Sequence, residues 1–217
     1  MSAEELAALL SFATAMSFTP GPNTTLSTAL GANLGLRRAL PFILAVPAGW
    51  TLMMVMCGLG LAALVLAAPP LRLAVKFGGI AYLVWLAWKL ARASRLGEAD
   101  PAQLQVGFWQ GVGLQFLNIK AWMLALSIVA GWVAGQADAQ QRYLAVLPVL
   151  LAYAFFSNFS YALVGSLLRH WLAGPVVNGQ PTGRRLQVFN RLMAVALVLT
   201  AGWMLAGGAG LNGQVGA

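Results

Sequence analysis

Six apolar runs follow one another along the chain, from roughly Leu6 to Leu30, Leu40 to Ala67, Leu71 to Ala93, Val106 to Val133, Tyr143 to Leu168 and Val188 to Leu205. Each is long enough to cross a bilayer, which takes about 20 residues of helix. Hydrocarbon offers no water to the main chain, so a single span must satisfy its own N–H and C=O groups, and a helix does that. Of the 217 residues 60% are hydrophobic and 8% charged, with a mean hydropathy of +0.78, which leaves almost nothing for a soluble domain. The expected fold is an all-α integral membrane protein of six transmembrane helices.

The net charge of +8 would suggest nucleic acid in a soluble protein. Here the basic residues fall at span ends, where headgroups and the positive-inside rule account for them, so no nucleic-acid partner is expected and the bilayer is the partner instead. With the N-terminus outside, the inner loops hold Arg37, Arg38, Lys89, Arg92, Arg95, Arg169, Arg184, Arg185 and Arg191, nine in all, and the outer loops hold three, Arg72, Lys76 and Arg142. That bias predicts both termini outside. Cys57 is the one cysteine, so neither a disulfide framework nor a two-thiol shuttle is available. Glu4 and Glu5 stand where a cleavable signal would be positive, and the first residues are expected to stay in the mature protein.

The first apolar run is interrupted by Phe18-Thr19-Pro20-Gly21-Pro22-Asn23. Pro20 and Pro22 remove two donors and crowd the preceding turn, and Gly21 is expected to add backbone freedom, so the helix should kink or open. Carbonyls freed there cannot face lipid; they require protein or a water-filled cavity. The break is therefore read as a substrate site, against the alternative of a proline kink closed by Thr and Ser neighbours.

Three spans per half is an odd number, so the second half enters the membrane from the opposite side. Both halves open with an interrupted helix, at Thr19 to Thr25 and at Gln115, Asn118 and Lys120. Paired irregular helices of this kind point to a transporter's midplane site. The expected organisation is one membrane domain, 1–217, of two inverted three-helix repeats, 1–93 and 106–217, joined by a polar cytoplasmic hinge at 94–105. The loop from Gly174 to Gln187 reads as an exposed cytoplasmic connection, and the glycine-rich tail after Leu205 is expected to be disordered.

Lys120 lies some 14 residues into its run, about 20 Å at helical rise. A lysine near a helix centre costs about 2.5 to 3.5 kcal/mol on insertion scales and so needs a function or a partner. Glu4, Glu5, Glu98, Asp100 and Asp138 all lie at ends or in loops. A substrate carboxylate would fill the gap, assisted by free N–H groups of the half-helix after Pro22; snorkelling to the interface is the alternative. Gln115 and Asn118 share a helical face, but Lys120 sits about 200° round from Asn118, so both reach one cavity only if the backbone deviates. Ser157, Asn158 and Tyr161, with Tyr153 a turn earlier, form a polar stripe that serves either as cavity wall or as interhelical hydrogen bonds.

Met53, Met56 and Cys57 share a face and suggest either packing or a soft-metal path, packing being the ordinary use of Met. GxxxG pairs at Gly31/Gly35, Gly107/Gly111 and Gly131/Gly135 serve close packing within one protomer or a homodimer surface. The tryptophans near span ends read as interfacial anchors, and none is given a ligand role.

Thr19-Pro20-Gly21-Pro22-Asn23, Gly35 with Arg38, the run Gly79-Ile80-Ala81-Tyr82-Leu83-Val84-Trp85-Leu86-Ala87-Trp88-Lys89, and Gly113-Leu114-Gln115-Phe116-Leu117-Asn118-Ile119-Lys120 together carry a resemblance. With these residues the chain resembles the LysE/RhtB family of amino-acid exporters, in layout over nearly its whole length. Ile119 stands where the family usually has proline between Asn and Lys, and Trp50 follows Gly49 where an acidic residue is frequent. Both departures resemble the subgroup that exports cysteine and O-acetylserine. The resemblance implies a small neutral amino acid as cargo and use of the proton gradient.

The expectation is an inner-membrane exporter working by alternating access, with a substrate site of Thr19, Pro20, Gly21, Pro22, Asn23, Gln115, Asn118, Lys120, Ser157, Asn158 and Tyr161, and no cofactor, metal or catalytic residue. A passive amino-acid channel and a soft-metal exporter are the rival transport readings. An intramembrane enzyme is remote, because the only His, His170, is at a span end and no buried acid stands ready to pair with it.

Overall fold

The computed structural model of the chain describes residues 1–60, 68–93, 106–177 and 180–210. Among them are eight α-helices: α1 (Ala3–Phe18), α2 (Pro22–Leu34), α3 (Leu36–Gly58), α4 (Pro69–Arg92), α5 (Phe108–Leu117), α6 (Ile119–Ile128), α7 (Ala139–Ala173) and α8 (Arg184–Gly210). A π-helical turn, Val129–Val133, continues α6, and a two-residue antiparallel ladder joins Val176–Val177 to Gln180–Pro181. The predicted hinge at 94–105 lies outside the described residues.

Four described helices are long and apolar enough to cross a membrane, or five when α5 and α6, bent by 70° at their junction, count as one span. The first predicted span is divided into α1, of 16 residues, and α2, of 13. Other bounds also move. The second span closes with α3 at Gly58 rather than Ala67, residues 61–67 lying outside the described part, and α8 runs on to Gly210 through the glycines expected to be irregular. Once a helix is propagating, each added residue brings its own hydrogen bond, and this offsets the roughly 1 kcal/mol penalty of a glycine.

The helix termini form two groups. In one, Arg142 at the start of α7 donates to Glu5 of α1 at 3.1 Å and to Asp138 at 2.7 Å, Trp132 Nε1 donates to the Glu5 carbonyl at 3.1 Å, and Tyr143 lies against Gly58. Glu5 also closes a capping box with Ser2. Its carboxyl is held below the ordinary range first by the Ser2 N–H and then by Arg142, and Arg142 does the same for Asp138. In the other group, Asn33 of α2 and Asn190 of α8 exchange amide hydrogen bonds at 2.7 and 2.9 Å, and Asn190 also donates to the Ala93 carbonyl after α4 at 2.8 Å. Arg169 of α7 lies beside Gly35 in the same group. Lys89 and Arg92 stack on Trp85 and Trp88, at 4.2 and 4.1 Å from the ring centroids.

The core is helix on helix, and α2 is its centre: twelve of its thirteen residues are buried. Small residues make that possible. A Cβ on Gly31 would run into the Ala162 carbonyl of α7, and one on Gly165 into the Thr28 carbonyl of α2, so the two backbones touch where they cross. Gly31 therefore packs within the protomer, as does Gly111, whose absent side chain makes room for Ala45 and Phe42 of α3. Nothing lies within 4 Å of the position a Cβ would take on Gly131 or Gly135. Met53 and Cys57 are buried and Met56 is half-buried in the same core.

This crossing generates a stability prediction. Gly165→Ala forces α2 and α7 apart and should destabilise by about 1–3 kcal/mol, the usual cost of overpacking, whereas Gly202→Ala, with open space around it, should be neutral. Thermal unfolding of both variants in detergent checks it, and equal melting temperatures would show that the contact is soft.

Candidate functional site

The helix breaks where the chain loses its donors. α1 ends at Phe18 with Thr19 as an extended cap; Pro20 has no N–H to continue the ladder; Pro22 opens α2 at its first position, where a missing N–H costs nothing. Gly21 turns out to be extended, φ −166° and ψ −176°, a backbone any residue adopts. A Cβ there would meet Lys120 Nζ at 3.4 Å and Lys120 Cδ at 3.5 Å, ordinary packing contact. The Lys120 side chain lies across the glycine.

Side-chain donors reach three carbonyls at the end of α1, those of Ala15, Phe18 and Thr19. Thr19 Oγ1 donates to the Ala15 carbonyl, the Tyr161 hydroxyl to Phe18 at 2.7 Å, and Lys120 Nζ to Thr19 at 3.1 Å. Lys120 thus has a partner in the protein, the electronegative C-terminal end of α1, where an anion had been expected. At the start of α2, Thr24 Oγ1 accepts from the Gly21 N–H at 2.9 Å and donates to the Gly21 carbonyl at 3.1 Å.

The second break falls at Asn118, extended at φ −93° and ψ 96° between α5 and α6. No proline forces it. Its backbone groups are nevertheless used: the Asn118 N–H reaches the Gln115 carbonyl at 3.2 Å, and Trp122 Nε1 returns to the Phe116 carbonyl at 2.9 Å. The deviation that the 200° offset required is present, and Asn118 and Lys120 border one cavity.

That cavity measures about 60 Å³, room for a few waters at roughly 10–15 Å³ each. Its wall includes Ser17 and Thr19 from the end of α1, Gly21, Pro22, Asn23 and Thr24 from the start of α2, Val46 and Trp50 from α3, Asn118 and Lys120 from the second break, and Ser157 and Asn158 from α7. Among the described residues no Asp or Glu lines it. A wider cleft of about 370 Å³ shares Thr19, Gly21, Asn118 and Lys120 and runs out past Leu199, Thr200 and Trp203 on the exposed flank of α8.

Of the predicted site residues, the cavity gathers Thr19, Gly21, Pro22, Asn23, Asn118, Lys120, Ser157 and Asn158. Pro20 borders the wider cleft instead. Gln115 is fully buried and exchanges amide hydrogen bonds with Asn23 at 2.7 and 3.3 Å while donating to the Gly111 carbonyl at 3.0 Å. It ties α5 to α2 behind the wall, in the space left by Gly49, on which a Cβ would collide with the Gln115 stem. Tyr161 is likewise a tie, spent on Phe18. Asn158 accepts from Ser27 of α2 at 2.9 Å, so it joins helices and borders the cavity at once. The predicted set omits Trp50; a buried indole in an apolar run carries no sequence signal separating cavity wall from core.

The family model for the LysE type translocator matches residues 14–208. The chain belongs to the LysE family of translocators. Among its relatives are proteins named cysteine/O-acetylserine efflux protein: from Klebsiella pneumoniae subsp. pneumoniae, 29% identical over 164 residues, covering 76% of this chain and 83% of the relative; from Salmonella typhimurium, 28% identical over 195 residues, covering 88% and 93%; and from Escherichia coli strain K12, 26% identical over 191 residues, covering 88% and 93%. No solved structure matches the chain. As a member of that family the protein is a multi-pass membrane transporter and not an enzyme.

The Asn23–Gln115 pair gives the second prediction. Asn23→Leu or Gln115→Leu alone strands a buried amide and should destabilise by about 1–3 kcal/mol. The double variant should cost clearly less than the sum of the two. Strict additivity in a thermal-unfolding cycle would mean that the pair is not coupled.

Proposed function

We propose that this LysE translocator exports small neutral amino acids, cysteine or O-acetylserine among them, from the cytoplasm across the bacterial inner membrane, by alternating access and at the expense of the proton gradient. The observation that carries it is one small cavity where two broken helices meet, its wall mixing apolar side chains with Asn, Ser and Thr and including a lysine but, among the described residues, no carboxylate. Such a site suits a zwitterion with an uncharged side chain. A second cation, as in lysine, would find no counter-charge, and burying an unpaired charge is expensive. The names of the relatives support the same cargo class.

In this reading the chain crosses the membrane six times, α1 with α2 and α5 with α6 each making one interrupted span, and the halves 1–93 and 106–217 are inverted repeats rocking about the cavity around the 94–105 hinge. Half-helices meeting at a midplane cavity are the usual construction of such carriers. Substrate carboxylate meets Lys120 and the N–H groups opening α2, while Pro20, Gly21 and Pro22 hold the break in place. The clustering of Arg37, Arg38, Lys89, Arg92, Arg169, Arg184 and Arg185 at one group of helix ends supports a cytoplasmic position for that group and periplasmic termini.

Liposomes containing the purified protein test the function. Efflux of radiolabelled cysteine or O-acetylserine should be saturable and should accelerate under an imposed pH gradient; flux that is linear in concentration and indifferent to the gradient would indicate a passive channel. Lys120→Met should weaken substrate binding about tenfold or more, the loss of one charge-assisted hydrogen bond. Unchanged affinity in that variant would remove Lys120 from the site.

Orientation has its own test. A cysteine introduced beside Arg184, in a Cys57→Ser background, should resist an impermeant thiol reagent in intact cells and react in inverted vesicles. Labelling from outside would reverse the topology.

A further inference from the structure

Asn118 Oδ1 is buried, on a residue only 5% exposed, and among the described residues no group donates to it. That is unusual twice over. Buried acceptors are almost always partnered. And Asn118 occupies the N-cap of α6, where an asparagine normally turns its side-chain oxygen back to the first N–H groups of its own helix; here no such bond is made, and the side chain borders the cavity instead. A second oxygen in the same wall is only loosely engaged: Ser157 Oγ donates to the Ala154 carbonyl and accepts from Asn158 Nδ2, both at 3.5 Å, the outer limit of a hydrogen bond.

The residue lines the cavity and its acceptor is unserved, so a donor carried in by the cargo would have a partner there. We infer that Asn118 Oδ1, seconded by Ser157 Oγ, receives the α-ammonium group of the substrate, and that the site therefore requires a free amine. This rests on the export reading above and assigns the two ends of the zwitterion: carboxylate to Lys120 and the α2 N-terminus, ammonium to neutral oxygens opposite. Neutral acceptors hold an ammonium by hydrogen bonds without adding a charge, so a vacant cavity carries no buried unpaired carboxylate between cycles. Selection for the amine then comes from the acceptors that an amine-free analogue leaves unserved, the arrangement that gives the sharpest discrimination available to a binding site.

The experiment is isothermal titration of the purified protein with three reduced ligands: L-cysteine, 3-mercaptopropionate, which lacks the amine, and cysteamine, which lacks the carboxylate. Wild type should bind 3-mercaptopropionate about tenfold or more weaker than cysteine. Asn118→Leu should weaken cysteine and cysteamine by a similar factor and leave 3-mercaptopropionate within about twofold. Asn118→Asp, which keeps an acceptor oxygen in place, should retain the preference for an amine. Equal binding of cysteine and 3-mercaptopropionate by wild type, or parallel weakening of all three ligands in Asn118→Leu, overturns the assignment while leaving the export reading intact. Should the Leu variant not be recovered folded, the wild-type and Asp comparisons decide. A wild-type protein that binds neither cysteine nor any other neutral amino acid overturns the export reading itself.

Discussion

Helix ends inside a membrane are the constraint on which this structure depends. A helix that stops in hydrocarbon leaves up to four carbonyls without donors, and no water is at hand to serve them. In the proposed six-span arrangement two helices, α1 and α5, stop there. At the end of α1 the donors are Thr19, Tyr161 from α7 and Lys120 from α6; at the end of α5, Trp122 from α6 reaches back to Phe116. Side chains distant in sequence thus complete main-chain structure. The break made by Pro20 and Pro22 is closed by side chains from α6 and α7.

That packing rests on α2. A helix of 13 residues, rich in Thr, Ser, Ala and Gly, is too short to span and too polar to face lipid, and it is sheathed by its neighbours. Gly31 and Gly165 let α7 lie backbone to backbone on it, Ser27 donates to Asn158, and Asn33 pairs with Asn190 of α8. Each bond joins α2 to a different helix or turn of helix. Without a hydrophobic drive between helices in lipid, close contact and such polar ties provide the association. The cavity is what remains where this inner helix and α6 both begin.

Residue chemistry made part of this legible in advance. Pro20 and Pro22 mark their break by the donors they lack, and apolar length marks the spans, because both signals are local. The second break is written less openly: Asn118 and Lys120 cannot share a cavity on a straight helix, which shows that the backbone must deviate but not how. Partner choice lay beyond reach. A buried Gln or Tyr announces that it needs a hydrogen bond, not with whom, so Gln115 and Tyr161 read as ligand groups until Asn23 and the Phe18 carbonyl, 92 and 143 residues away, are seen to hold them. Glu5, Asp138 and Arg142 read as three loop charges for the same reason. Gly21 differs again: its glycine suggests backbone freedom, whereas its backbone is extended, with the Lys120 side chain in contact above it.

Lys120 joins the two aspects of the site, since one ammonium group both finishes α1 and borders the cavity. An ammonium has three donors, and Thr19 takes one of them. An anion that entered the cavity and drew Nζ toward itself would lengthen the bond to the Thr19 carbonyl. Occupancy of the cavity and the seating of the α1 end are then linked through a single side chain, and linkage is reciprocal: whatever displaces α1 alters the affinity of the cavity for an anion by the same factor. Arginine in this place would keep its charge, but a planar, five-donor fork has to be accommodated over Gly21, in a space now filled by the flexible lysine stem. A compact charge on a flexible stem is therefore the side chain that fits a position which must reach both a helix end and a cargo.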